Sequence, residues 1–154
     1  MANRSIFDRL KQDHDAHRQL FDKMADAKDE PDRLEKLFEQ FKVEVTAHAA
    51  AEEETLYATM LARPDLREDA QHSVSEHKEI DDYLEELEEL SFNGEEWNHV
   101  FAQLKKRYLH HIEEEEEEMF PDAAKELTAE EEAKLAARFA QRKPAELQRA
   151  EAND

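Results

Sequence analysis

The sequence predicts an all-α chain, folded as an antiparallel up-down-up-down four-helix bundle with a short C-terminal helix. Apolar residues recur at alternating three- and four-residue steps, without the two-residue alternation of a half-buried strand. One Gly and four Pro in 154 residues leave little room for long irregular connections. The breaks separate four long stripes, and short links between long helices make neighbours antiparallel.

The first stripe is Phe7, Leu10, His14, His17, Phe21 and Met24. The second opens near Pro31 and runs Leu34, Phe38, Phe41, Val45, His48, Glu52, Leu56 and Met60. The third follows Pro64 and carries His77, Ile80, Leu84 and Leu87. The fourth is Trp97, Phe101, Leu104, Tyr108, His111, Glu115 and Met119. Pro31 and Pro64 suit the first helical position, whose N–H has no helical acceptor, and Asn93-Gly94 supplies a left-handed stop. Thr128 and Glu131 have capping-box spacing for a last helix, which Pro144 is expected to interrupt, leaving a frayed tail. The length suits one bundle domain at 1–125, with the helix and tail at 126–154.

Charge narrows the function classes. Asp and Glu outnumber Lys and Arg by 41 to 21, for a net charge of −20, which opposes binding to nucleic acid or an anionic membrane and favours cations. The absence of Cys excludes disulfides, thiolate zinc sites and iron–sulfur clusters. The start, "MANRSIFDRLKQDHD", has no apolar signal core and no stretch has the length of a membrane span, so the expected location is the cytoplasm.

The stripes hold an anomaly. His14, His48, Glu52, His77, His111 and Glu115 occupy positions where the pattern calls for Leu or Val. A buried ionised carboxylate costs several kcal/mol unless compensated, and Arg107 and the nearby lysines fall mostly on other faces. An offset of 63 residues maps His14 onto His77, His48 onto His111 and Glu52 onto Glu115. Phe38 falls on Phe101, Tyr57 on Phe120, and Asp13 on Glu76 at the same offset. Each half is therefore a helical hairpin with one His on its first helix and His-x-x-x-Glu on its second. In "YLHHIEEEEEEMFP" this selects His111 and Glu115, four apart and on one face. His110, Glu113, Glu114, Glu116 and Glu117 are expected to face water, and Glu118 borders the stripe.

Four imidazoles and two carboxylates converging inside a bundle need a cation. Two metal ions resolve the charge, with His14 and His48 on one, His77 and His111 on the other, and Glu52 and Glu115 bridging. Glu53 and Glu116 are the alternative registers. The donor set suits iron, manganese or zinc; open positions beside it favour iron, which binds and reduces dioxygen. Tyr57 and Tyr108 lie near enough to hydrogen-bond or ligate. The competing reading is a metal-free polar network. His17 maps onto Ile80 and reads as a core histidine; His72, His99 and His110 read as surface. "EWNH" (Glu96 to His99) has ferritin-like Glu-x-x-His spacing but occurs once, at a helix start, as a coincidence.

"LKQDHDAHRQLF", "HAAAEEETLY", "SEHKEIDDYL" and "HHIEEEEEEMFP" resemble the motifs of the hemerythrin-like, or HHE cation-binding, domain, over about residues 5–121. The resemblance implies a four-helix bundle with two non-haem iron ions, held by His14, His48, Glu52, His77, His111 and Glu115. It implies binding, sensing or detoxification of dioxygen or a related small oxidant such as peroxide or nitric oxide, with a peroxide- or nitric-oxide-consuming enzyme and iron storage or delivery as alternatives. Oxygen carriers have a further His where this chain has Ser73, and His-x-x-x-x-Asp where it has His-x-x-x-Glu, so a dedicated carrier is not expected. No catalytic residue is singled out, and the expected assembly is a monomer or weak homodimer.

Overall fold

A computed structural model describes residues 5–152. Helix α1 (Ile6–Asp26) starts where the Ser5 hydroxyl accepts the Phe7 N–H at 3.0 Å. Helix α2 (Pro31–Glu52) has Pro31 as its first residue, and α4 (Pro64–Glu89) begins on Pro64. Between them, α2 widens into a π-turn at Glu53–Tyr57 and resumes as the short α3 (Ala58–Leu61). Helix α5 (Glu95–Glu114) widens in the same way at Glu115–Met119 and resumes as α6 (Phe120–Glu126). Asn93 takes the left-handed conformation at φ 61°, and Gly94, at φ −78°, is the N-cap of α5. The turn falls where the dipeptide predicts it, on its first residue.

The helices form the expected bundle. Helix α1 packs on α2 and α5, and α4 packs on α5 and α2. Between their ends the apolar core is split in two. One cluster includes Phe21, Phe38, Phe41, Leu84, Trp97 and Leu104; the other includes Phe7, Leu10, Leu56, Met60, Phe120 and Phe139. The polar core positions lie near the junction of the two clusters on α1, α2, α4 and α5. Apolar plugs thus cap a polar layer at both ends.

The last helix departs from expectation. Thr128 and Glu131 do form the capping box: the Thr128 hydroxyl accepts the Glu131 N–H at 3.1 Å, and Glu131 accepts the Thr128 N–H at 2.9 Å. Yet α7 (Ala129–Ala152) is 24 residues long and runs through Pro144, where the sequence predicts a break and a frayed tail. Proline removes one helical hydrogen bond and crowds the preceding turn. Here Phe139, Lys143, Glu146 and Ala150 are all buried as α7 lies along α2 and α1, and that packing carries the helix past its weak point. Residues 153–154 of the expected tail lie outside the described residues. Among the described residues, no helix is long and apolar enough to cross a membrane.

Candidate metal centre

The polar layer draws on four helices. His14 comes from α1, His48 and Glu52 from α2, His77 from α4, His111 from α5, and Glu115 opens the second π-turn. All six are buried, none more than 6% exposed. The His14 and His48 rings lie 5.2 Å apart between centroids, and those of His77 and His111 lie 4.9 Å apart. Donor atoms of His14, His48 and Glu52 lie within 4.8 Å of one another, as do those of Glu52, His77 and His111.

Each carboxylate touches both histidine pairs. Glu52 Oε1 is 3.6 Å from His48 Nε2 and 3.3 Å from His77 Nε2. Glu115 Oε1 is 3.2 Å from His14 Nε2 and 3.6 Å from His111 Nε2. None of these approaches counts as a hydrogen bond, and two are too long for one. The Nε2 atoms of His14, His48 and His111, both oxygens of Glu52 and Oε1 of Glu115 are buried without a hydrogen-bond partner. Each such group forfeits about 1–3 kcal/mol of hydration, and more if charged.

The outward nitrogens are fully engaged. His14 Nδ1 meets Glu116 at 2.7 Å, His77 Nδ1 meets Glu53 at 2.7 Å, His48 Nδ1 meets Asp13 at 2.8 Å and His111 Nδ1 meets Glu76 at 2.7 Å. A carboxylate at Nδ1 fixes the proton there and turns the Nε2 lone pair to the centre, as metal-binding histidines are held. The four bonds obey the 63-residue offset, because Glu53 maps onto Glu116 as Asp13 maps onto Glu76. Sequence reasoning placed Glu116 in water and kept Glu53 and Glu116 only as alternative registers. The offset itself marks both.

The π-turns explain the miss. Consecutive residues of an α-helix diverge by about 100°, so the neighbour of an inward residue should point away. A π-turn bonds i to i+5 and narrows that divergence, and such turns recur at functional sites. Glu52 therefore faces the centre while Glu53 reaches His77, and Glu115 and Glu116 repeat the arrangement.

The buried carboxylates and imidazoles set one another's protonation. Burial opposes charge on His14 and His77, yet the carboxylates beside them outweigh it and raise them to about 9 and about 10. Burial and the charge of Glu115 push Glu52 up to about 8. Glu115 goes the other way: burial works against its charge, but His111 and His14 hold it well below the usual carboxylate range. Burial lowers His48 to about 4 despite Asp13. Asp13 is itself lowered: His48, Lys143 and Arg9 together overcome its burial. His14, His77 and Glu52 thus hold their protons more tightly than usual beside the layer's carboxylates.

The surroundings break the symmetry. Tyr57 donates its hydroxyl proton to Glu115, lies 3.4 Å from His77 Nε2, and its ring stacks on that imidazole. Its counterpart Phe120 stacks on His14 without a hydroxyl. Tyr108 instead bonds His17 Nδ1 at 2.6 Å; His17 is a buried core histidine, as its repeat partner Ile80 implies. Asp13 receives Arg9 at 2.6 Å and the buried Lys143 of α7 at 2.9 Å, whereas Glu76 receives Arg107. Glu113, Glu117 and Glu118 face solvent, Glu114 is half-buried, and His72, His99 and His110 are exposed.

The chain belongs to the hemerythrin HHE cation-binding domain family, whose profile matches residues 5–123. It is thus a cation-binding helical-bundle protein. A solved hemerythrin HHE cation-binding domain-containing protein from Mycobacterium kansasii superposes with a TM-score of 0.82, over 96% of this chain and 89% of that one. At 20% identity that likeness speaks for the fold. A protein named DNA nickase, from Nostoc sp. (strain PCC 7120 / SAG 25.82 / UTEX 2576), is 29% identical over 140 residues, which cover 88% of this chain. The match spans 38% of that relative's length.

Proposed function

We propose that the polar layer is a di-iron centre meeting dioxygen or a related small oxidant, in a binding, sensing or detoxifying role. His14 and His48 would hold one ion and His77 and His111 the other, with Glu52 and Glu115 facing both pairs. One observation carries this reading: unpartnered imidazole nitrogens and carboxylate oxygens converge on one buried layer while every outward histidine nitrogen is anchored. Nitrogen and oxygen donors suit iron, with manganese or zinc as competitors. Bound iron would supply reversible one-electron chemistry and open coordination positions.

The protein's own groups then have defined tasks. Asp13, Glu53, Glu76 and Glu116 keep the imidazoles in one tautomer and orientation. The plugs around Phe41 and Phe120 exclude bulk water. Tyr57 holds a proton at its hydroxyl oxygen against Glu115. That buried phenol favours a second reading, a peroxide- or nitric-oxide-consuming enzyme, because turnover needs a proton donor beside the reacting oxygen. The nickase named above acts on DNA by its name; a net charge of −20 sets this chain against a phosphate backbone, and we do not extend that activity to it.

Multi-element metal analysis of tag-free protein tests the centre, with about two iron per chain expected from the bridged donor set. Adding dioxygen or peroxide to the reduced protein then separates the readings. A binder gives one stoichiometric spectral change and stops; an enzyme continues to consume the oxidant. Zinc or manganese at that ratio would retain the ligands and remove the oxidant role. No metal after anaerobic reconstitution with ferrous iron would sink the proposal.

The anchoring carboxylates give a separate expectation. Asp13→Asn should weaken metal binding about 10–100-fold in a chelator competition titration, because the amide no longer holds the His48 proton. Glu117→Gln, on the exposed face, should leave affinity unchanged; equal affinities in both variants would remove Asp13 from the assembly.

A further inference from the structure

The layer is sealed at both ends by apolar side chains but opens to one side. A cleft of about 240 Å³ runs between α4 and the α5 side of the second π-turn. Asp69, Glu114, Glu118 and Asp122 line it, with His72, Ser73 and Met119. Its innermost acidic lining residue is Glu115, 1% exposed, whose Oε1 has no hydrogen-bond partner. A buried carboxylate of the centre therefore also lines a solvent-connected cleft.

A second cluster stands near the mouth. His72 Nε2 lies 3.1 Å from Glu114 Oε1 and 3.2 Å from Glu76 Oε2, and donors of the three lie within 4.8 Å of one another. His72 is exposed, Glu114 half-buried and Glu76 buried, so the group descends from solvent into the protein. Glu76 also binds His111 Nδ1 through its other oxygen, which puts the cluster one carboxylate from the centre. Arg107 competes for Glu76 Oε2. That competition makes the cluster a weak cation site, as a transit position must be.

We propose that this cleft is the route by which divalent cations enter and leave the buried layer. His72, Glu114, Asp69, Asp122 and Glu118 take the hydrated ion at the mouth; Glu76 stands behind them, and Glu115 receives the ion as it sheds water. Ser73 and Met119, both buried, line the cleft with Glu115, and Ser73 donates to Met119 Sδ at 3.1 Å; the flexible thioether can swing aside without breaking a strong bond. Asp69 fits this role: burial and the neighbouring Asp122 raise its affinity for a proton, and a passing cation relieves the same repulsion. The route rests on the metal-centre reading above, and its test separates the two.

The probe is Co²⁺, added to full-length metal-free protein in a stopped-flow absorbance experiment, with final stoichiometry read by metal analysis. Asp69→Asn/Asp122→Asn and His72→Ala/Glu114→Gln should each load about tenfold more slowly and reach the wild-type stoichiometry, because steering by local charge sets the rate. Glu86→Gln/Glu89→Gln, on the exposed face near the far end of α4, should load at the wild-type rate. Cleft variants that load as fast as wild type, with the stoichiometry intact, would overturn the route and leave the centre standing. Equal slowing by the distant pair would also overturn it, since net charge alone would then set the rate. A wild-type protein that takes up no Co²⁺ would remove the centre, and the route with it.

Discussion

Stripping both metal ions should lower the melting temperature by on the order of 20 °C. A ligand held at 1,000 times its dissociation constant adds about 4 kcal/mol per site, and in a domain of this size each kcal/mol moves the transition by about 2–4 °C. The effect should also depend on pH, with a sign fixed by the layer. His14 and His77 are raised from 6.5 to about 9 and about 10, so their contribution to metal-free stability is full below pH 6.5 and is lost as pH rises through those values. Glu52, raised from 4.5 to about 8, loses its contribution over the interval ending there. His48 runs oppositely, its contribution present above pH 6.5 and lost as pH falls through about 4, outside that window. Metal-free protein should therefore melt lower at pH 9 than at pH 6, while the loaded form, whose ligands have already released their protons, should change less. Calorimetry of both forms at the two pH values measures this. An unchanged melting temperature on chelation would mean that the polar layer needs no cation.

Replacing Glu52 should abolish loading altogether. Its oxygens face one histidine of each pair, so Glu52→Ala removes a ligand from both ions and metal content should fall from about two per chain to near zero. Retention of two ions per chain in Glu52→Ala would refute the bridge.

The sequence made some of this plain and hid the rest for physical reasons. The stripes from Phe7 to Met24 and from Trp97 to Met119 repeat with the helical period, so the bundle was readable. His14, His48, Glu52, His77, His111 and Glu115 stood out because the offset preserves residues that a core otherwise excludes, and the fold brings all six together. Glu53 and Glu116 were legible only as alternative ligand registers, and their anchoring role was hidden because a wheel of 100° steps assumes an unbroken α-helix and nothing in "HAAAEEETLY" announces a widened turn. Pro144 misled for a different reason. Its local cost is real, but Phe139 and Lys143 bury against the bundle, and long-range packing is invisible in a short window.

The crossed bonds to His14 and His77 also say what kind of object the chain is. His48 and His111 find their acceptors within their own hairpin, whereas His14 relies on Glu116 and His77 on Glu53. Neither hairpin is self-sufficient. Two copies of the first, related by the same rotation, would supply Glu53 wherever Glu116 now serves. The protein is in this sense a tethered dimer of one hairpin. The link between Leu61 and Pro64 raises the concentration of each half around the other, and the interlocking carboxylates set how the halves meet.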